Sequence, residues 1–78
     1  MPTDPLPDWV LPRRQQIGTA LRVARIDREL TQIQLGERAG IDHKTVHRIE
    51  YGTSDPSLTT LLRLAAALDM PLSDLVRE

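Results

Sequence analysis

Four side chains able to donate or accept hydrogen bonds, His43, Lys44, His47 and Arg48, fall within six residues of the stretch "TQIQLGERAGIDHKTVHRIEYG" (Thr31–Gly52). His43 and His47 are four apart, as are Lys44 and Arg48, so on a helix they form one polar stripe. Val46 and Ile49, three apart, must then point the other way, toward the rest of the protein. A helix held by one side, with donors along the other, fits the major groove of DNA, which is wide enough to admit it. Arg and Lys suit the two acceptors of guanine, and histidine can give or accept one bond or press against a thymine methyl. The alternative use of such a stripe is a solvated face on a small bundle, which every amphipathic surface helix has.

Catalysis finds no support in the residue pattern. No nucleophile sits beside a base, and no carboxylate pair or phosphate loop is visible, so no catalytic residue is assigned and an enzyme is not expected. Two histidines without cysteine leave little for a metal, and no cofactor is expected. The 78 residues suffice for one small domain that buries a modest fraction of its surface and gains from dimerisation. No apolar run approaches the ~20 residues needed to span a bilayer, and "MPTDPLPDW" has no signal pattern, so no membrane association and a cytoplasmic location are expected.

The net charge of −1 is unevenly distributed. Arg13 to Glu50 carries eight Arg/Lys against five Asp/Glu, a local charge of +3, while the remainder holds two against six, or −4. A basic middle with acidic flanks is a mild local footprint of the kind that attracts phosphates.

Several elements must position the stripe. Pro2, Pro5, Pro7 and Pro12 predict an extended arm over residues 1–12, because proline lacks the amide donor and restricts its predecessor. Trp9 in that arm either covers a core edge, hangs loose, or reaches DNA or a second subunit. Residues 13–78 form the folded domain. Ile17, Leu21, Ala24 and Arg25 draw a helix from about Arg13 to Arg28. A second helix, about 31–39, starts at Thr31, with Gln34 completing a capping box, and stops at Gly40. Asp42 caps a third, about 42–51, which Gly52 ends. Either Asp55 or Ser57 caps a fourth carrying Leu58, Leu61, Leu62, Ala65 and Leu68, and Pro71 opens a fifth with Leu72, Leu75 and Val76. Five helices without a strand signal make the fold all-α.

The joint pattern resembles the helix-turn-helix domain of phage repressor and Cro proteins and the bacterial transcriptional regulators built on it. The matching pieces, in order, are "IGTALRVAR", "LTQIQLGERAGID", "TVHRIEYG", "DPSLTTLLRLAAALDM" and "PLSDLV", covering about Ile17 to Val76. The resemblance implies a compact five-helix bundle of the lambda-repressor-like type, with the third helix as the recognition helix.

It further implies base contacts from His43, Lys44 and His47, with Thr45 and Arg48 reaching bases or phosphates. Gln32 would contact a phosphate and brace the recognition helix. Arg25 and Glu50 match a structural ion pair tying the first helix to the end of the third. Arg13, Arg14, Thr53 and Ser54 are the further phosphate contacts expected, and since the loop "GTSDPS" has no cation these are few. Each phosphate neutralised adds about 0.9 to the salt slope, so a shallow slope is expected.

The chain departs from the family at Glu29, where glycine is frequent: either the first helix runs on or Glu29 takes a strained conformation. Gly36 stands where alanine is usual, which suits a close helix approach. One recognition helix reads too few base pairs to find a genomic site. The expected assembly is therefore a homodimer on double-stranded DNA, with half-sites of a near-palindromic operator about one turn apart, ~34 Å. Leu72, Leu75, Val76 and Trp9 are the residues assigned to its interface. The function expected is transcription regulation, as a repressor acting by occlusion. Its alternatives are the antitoxin of a toxin–antitoxin pair, with a toxin as protein partner, and a restriction–modification controller.

Overall fold

The first helix begins earlier than its prolines suggest. In the computed structural model, which describes residues 5–78, α1 spans Val10–Asp27 with Trp9 as its N-cap. Pro12 occupies the first turn, where amide groups have no intrahelical partner, so its missing donor costs nothing there. The expectation of an extended arm to residue 12, with the domain starting at 13, is corrected accordingly: Val10, Leu11 and Pro12 are helical. Residues 1–4 of that arm, Pro2 among them, lie outside the described residues.

The remaining helices follow their caps. α2 spans Gln32–Ala39, with the Thr31 hydroxyl accepting from the Gln34 amide and the Gln34 side chain accepting from the Thr31 amide. α3 spans His43–Glu50 behind an Asp42 cap, and α4 spans Leu58–Ala67. Ser57, not Asp55, caps α4, its hydroxyl accepting from the Thr60 amide at 3.1 Å. α5 spans Leu72–Val76. No strand occurs among the described residues, and no helix there is long and apolar enough to cross a membrane.

Four helices end in the same way. The amides of Leu30, Ile41, Thr53 and Met70 reach back to the carbonyls of Arg25, Gly36, Arg48 and Ala65, closing the ends of α1, α2, α3 and α4. Each closure needs a left-handed residue just before it. α2 and α3 have glycine there, Gly40 at φ 71° and Gly52 at φ 73°; α1 uses Glu29 and α4 uses Asp69, both at φ 55°. Of the two outcomes open at Glu29, the strained conformation is the one adopted.

The core draws on every helix. Leu21, Leu35, Val46, Leu64, Leu68 and Leu75 are fully buried, with Ile49 and Ala65 beside them. In α4 the inward positions are Leu64, Ala65 and Leu68; Leu58 and Leu62 are exposed, as is Ile33 of α2. Arg28 fastens α1 to α4 by donating from Nε to the Leu68 carbonyl at 2.6 Å, a cation placed at a helix C-terminus.

Candidate nucleic-acid interface

α3 is seated before its outer face can serve anything. Val46 and Ile49 are 0 % and 3 % exposed against the core. At its C-terminal end the backbone of α1 passes so near that a methyl on Gly18 would collide with the Ile49 and Glu50 carbonyl oxygens. Gly52, just beyond, lies against Gln15. At the other end, a methyl on Gly36 would collide with the Ile41 carbonyl oxygen, so α2 and the turn Gly40–Asp42 are in close contact. That accounts for glycine at this position.

A charged clamp completes the seating. Arg25 donates from Nε and Nη2 to the two oxygens of Glu50 at 2.7 and 3.0 Å, and from Nη1 to the Leu30 carbonyl at 2.8 Å. The Glu50 side chain is wholly buried and that of Arg25 nearly so. Hydrogen bonding to Glu50 raises the Arg25 pKa, against the opposing effect of burial. Gln32, at the first position of α2, donates from Nε2 to Glu50 Oε1 at 3.2 Å, and the same nitrogen lies 3.4 Å from His47 Nδ1. Three helices therefore converge on one buried carboxylate.

The outer face then follows from the helix pitch. His43, Lys44, His47 and Arg48 are exposed, and Thr45 is half-buried, with its hydroxyl 3.3 Å from Arg48 Nη2. The Tyr51 ring lies against that of His47, centroids 4.6 Å apart and tilted 41°. Tyr51 and Gly18 were not picked out by sequence. For Tyr51 the signal available was its spacing, four residues beyond His47 on the same face.

The flanking residues divide. Thr53 is exposed, its hydroxyl donating to the Arg48 carbonyl at 3.2 Å. Arg14 sits beside the same loop, 3.6 Å from Asp55. Arg13 does not join them: its guanidinium binds the Val76 carbonyl and pairs with Glu78 at 3.1 Å, because α1 packs α5 along that side. The Ser54 hydroxyl is buried and faces a small cavity of about 120 Å³ lined by Arg14, Ile17, Ile49 and Leu61, so it is not presented outward. Leu75 is 1 % exposed inside the core and cannot line a subunit interface; Leu72 and Val76 are half-buried, and Trp9 is 68 % exposed.

The Helix-turn-helix family pattern matches residues 21–75, taking in α2, the turn, α3 and α4. The chain belongs to the helix-turn-helix family. Among curated relatives it is 37 % identical over 62 residues to the immunity repressor protein of Bacillus phage phi105, covering 80 % of this chain and 43 % of the repressor. It is 42 % identical over 58 residues to antitoxin HigA1 of Mycobacterium tuberculosis, covering 74 % of this chain and 39 % of the antitoxin. The chain thus spans less than half the length of these two relatives. A solved structure, the restriction-modification controller protein C.AhdI from Aeromonas hydrophila, superposes with a TM-score of 0.81 at 33 % identity, covering 82 % of this chain and 97 % of the controller. Family and fold are those of phage-repressor-type DNA-binding regulators, not of enzymes.

Proposed function

We propose that this chain is a sequence-specific DNA-binding transcriptional regulator that reads the major groove with α3. The seating of α3 carries the reading: one buried carboxylate, held by Arg25 and Gln32, fixes a helix whose opposite face offers five polar side chains. His43, Lys44, Thr45, His47 and Arg48 contact bases, with Arg14, Thr53 and the main-chain amide of Gln32 on the phosphate backbone. Gln32 sits at a helix N-terminus, where free amides and the helix dipole favour an anion. With Arg13 engaged by Val76 and Glu78 and the Ser54 hydroxyl buried, phosphate contacts are few and the salt dependence is shallow.

The regulator acts as a homodimer on a near-palindromic operator in the cytoplasm and represses by occluding it. Its interface uses Leu72, Val76 and Trp9. Trp9 lies one turn before Arg13, which binds the Val76 carbonyl, so the start of α1 runs beside the end of α5. The 42 % identity to antitoxin HigA1 supports a second reading, a repressor that also binds a toxin, for which a toxin gene beside this one would speak.

Selection of bound duplexes from a random pool, with wild type and with Lys44→Ala, tests the first reading. The expected motif is symmetric, with half-sites about one turn apart, and the variant relaxes one position per half-site by about 1–3 kcal/mol of discrimination. Enrichment of no motif, with binding that only fades as salt rises, would sink it.

A further inference from the structure

We propose that the two histidines of α3 present opposite hydrogen-bonding polarity to the groove, His47 as a donor and His43 as an acceptor, because a neighbour biases the tautomer of each. The base-reading consequence rests on the function proposed above; the tautomers themselves do not.

The His47 ring is held from two sides. A carboxylate receives hydrogen bonds, so the Gln32 atom facing Glu50 Oε1 at 3.2 Å must be the amide nitrogen and not its oxygen. That nitrogen carries two hydrogens. One serves Glu50 and the other faces His47 Nδ1 at 3.4 Å. A donor at Nδ1 requires a lone pair there, so the neutral ring carries its hydrogen on Nε2. Tyr51 packs on the ring face and restricts its rotation. The donor polarity of His47 therefore originates in the buried Arg25–Glu50 pair and is passed outward through Gln32.

His43 has the opposite neighbour. Its Nδ1 lies 3.4 Å from Asp42 Oδ1, the oxygen that also accepts from the Lys44 amide. A carboxylate there calls for a hydrogen on Nδ1, which leaves Nε2 of the neutral ring as a lone pair. The Gln32–His47 contact is long for a hydrogen bond and the Asp42–His43 one is a close approach of carboxylate to ring without hydrogen-bond alignment, so each biases a tautomer equilibrium without locking it.

The groove distinguishes the two. A donor suits guanine O6 and N7, adenine N7 or thymine O4, and is turned away by the amino group of cytosine; an acceptor suits the amino groups of cytosine and adenine. His43 and His47, one turn apart on one face, then impose different preferences at neighbouring positions of a half-site.

The test reads both rings of the free protein by two-bond proton–nitrogen correlation, at about pH 8.5 so that neutral imidazole is observed. His47 should show Nε2–H, and Gln32→Met, which removes the donor while keeping the side-chain length, should raise the minor Nδ1–H population to that of an unconstrained ring. His43 should show Nδ1–H, and Asp42→Ser, which keeps a helix cap but removes the carboxylate, should move it toward Nε2–H. The same tautomer in both rings, or rings indifferent to these substitutions, would overturn the proposal. In duplex selection, the position relaxed by His47→Ala should disfavour cytosine, and that relaxed by His43→Ala should favour an exposed amino group; the same preference at both would overturn the base-reading half. Opposite tautomers with no enriched duplex would support the polarity and count against DNA reading itself.

Discussion

Val46, Ile49 and Glu50 are 0, 3 and 4 % exposed, whereas His43, Lys44, His47 and Arg48, interleaved with them along the same eight-residue helix, are exposed. The inner residues hold α3 by apolar burial, a bidentate ion pair and backbone contact with α1. Among the outer ones, Arg48 reaches Thr45 on α3 itself, and His47 alone touches the clamp, through Gln32. The partition has a functional logic. Side chains that contribute little to stability are free to vary with the DNA sequence they meet, while those that set the helix's position are not. Gln32 and His47 are where the two faces communicate.

The comparison breaks most visibly at Glu50. Its removal leaves the Arg25 guanidinium largely buried beside Leu30 with no opposite charge, so Glu50→Ala should cost about 3–5 kcal/mol of unfolding free energy. For a domain this small that loss approaches its entire stability. Urea denaturation measures it. The double replacement Arg25→Met with Glu50→Leu should cost much less, because no charge is left behind. Lys44→Ala on the other face should stay within about 0.5 kcal/mol of wild type. A Glu50→Ala protein as stable as Lys44→Ala would erase the distinction between the faces.

Gly18→Ala probes the seating without touching charge. Its new methyl would meet two backbone oxygens at the end of α3, and backbone cannot rotate aside as a side chain can. α1 and α3 must separate, at a cost of about 1–3 kcal/mol by denaturation. DNA affinity should fall further than the loss of folded protein accounts for, since the displaced helix carries its outer face with it. Unchanged stability would mean the two helices slide freely past one another.

Much of this was legible in the chain because local chemistry agreed with the fold. Thr31 with Gln34, Asp42 and the glycines at 40 and 52 marked α2, the turn and α3 to within a residue. The start of α1 was misread because proline punctuates most positions but is harmless in a first turn, and Pro12 falls there. α4 resisted for another reason. Leucines at 58, 61, 62 and 64 spread round the helix and leave only a narrow polar face at Thr59 and Arg63, so periodicity alone could not choose Leu64 over Leu62 for the core. The same holds for Leu75, whose burial depends on where α5 lands. Arg13 and Ser54 show the limit for site residues: the guanidinium is taken up by a carbonyl far away in sequence and the hydroxyl is buried beneath its loop, neither of which composition reveals.

The smallest effect lies on neither face of α3 and therefore sharpens the comparison as a control. Glu29 and Asp69 sit at φ 55° in turns of the same form as the one in which Gly52 closes α3. A left-handed conformation costs a side chain about 1–2 kcal/mol, while glycine gives back about 0.5–1 kcal/mol through its freer unfolded chain. Glu29→Gly and Asp69→Gly should each stabilise the domain by a net of about 0.5–1 kcal/mol, raising the melting temperature by a few degrees. Asp69 follows α4, away from the recognition face, so Asp69→Gly should leave DNA affinity unchanged at fixed salt. Glu29→Gly also removes a negative charge two residues before Thr31, the cap of α2, and should tighten DNA slightly, an increment that fades as salt rises. Equal DNA affinities for the two variants would place Glu29 beyond the reach of the phosphates. A loss of stability in either would mean that the native carboxylate contributes more to its turn than the left-handed backbone costs.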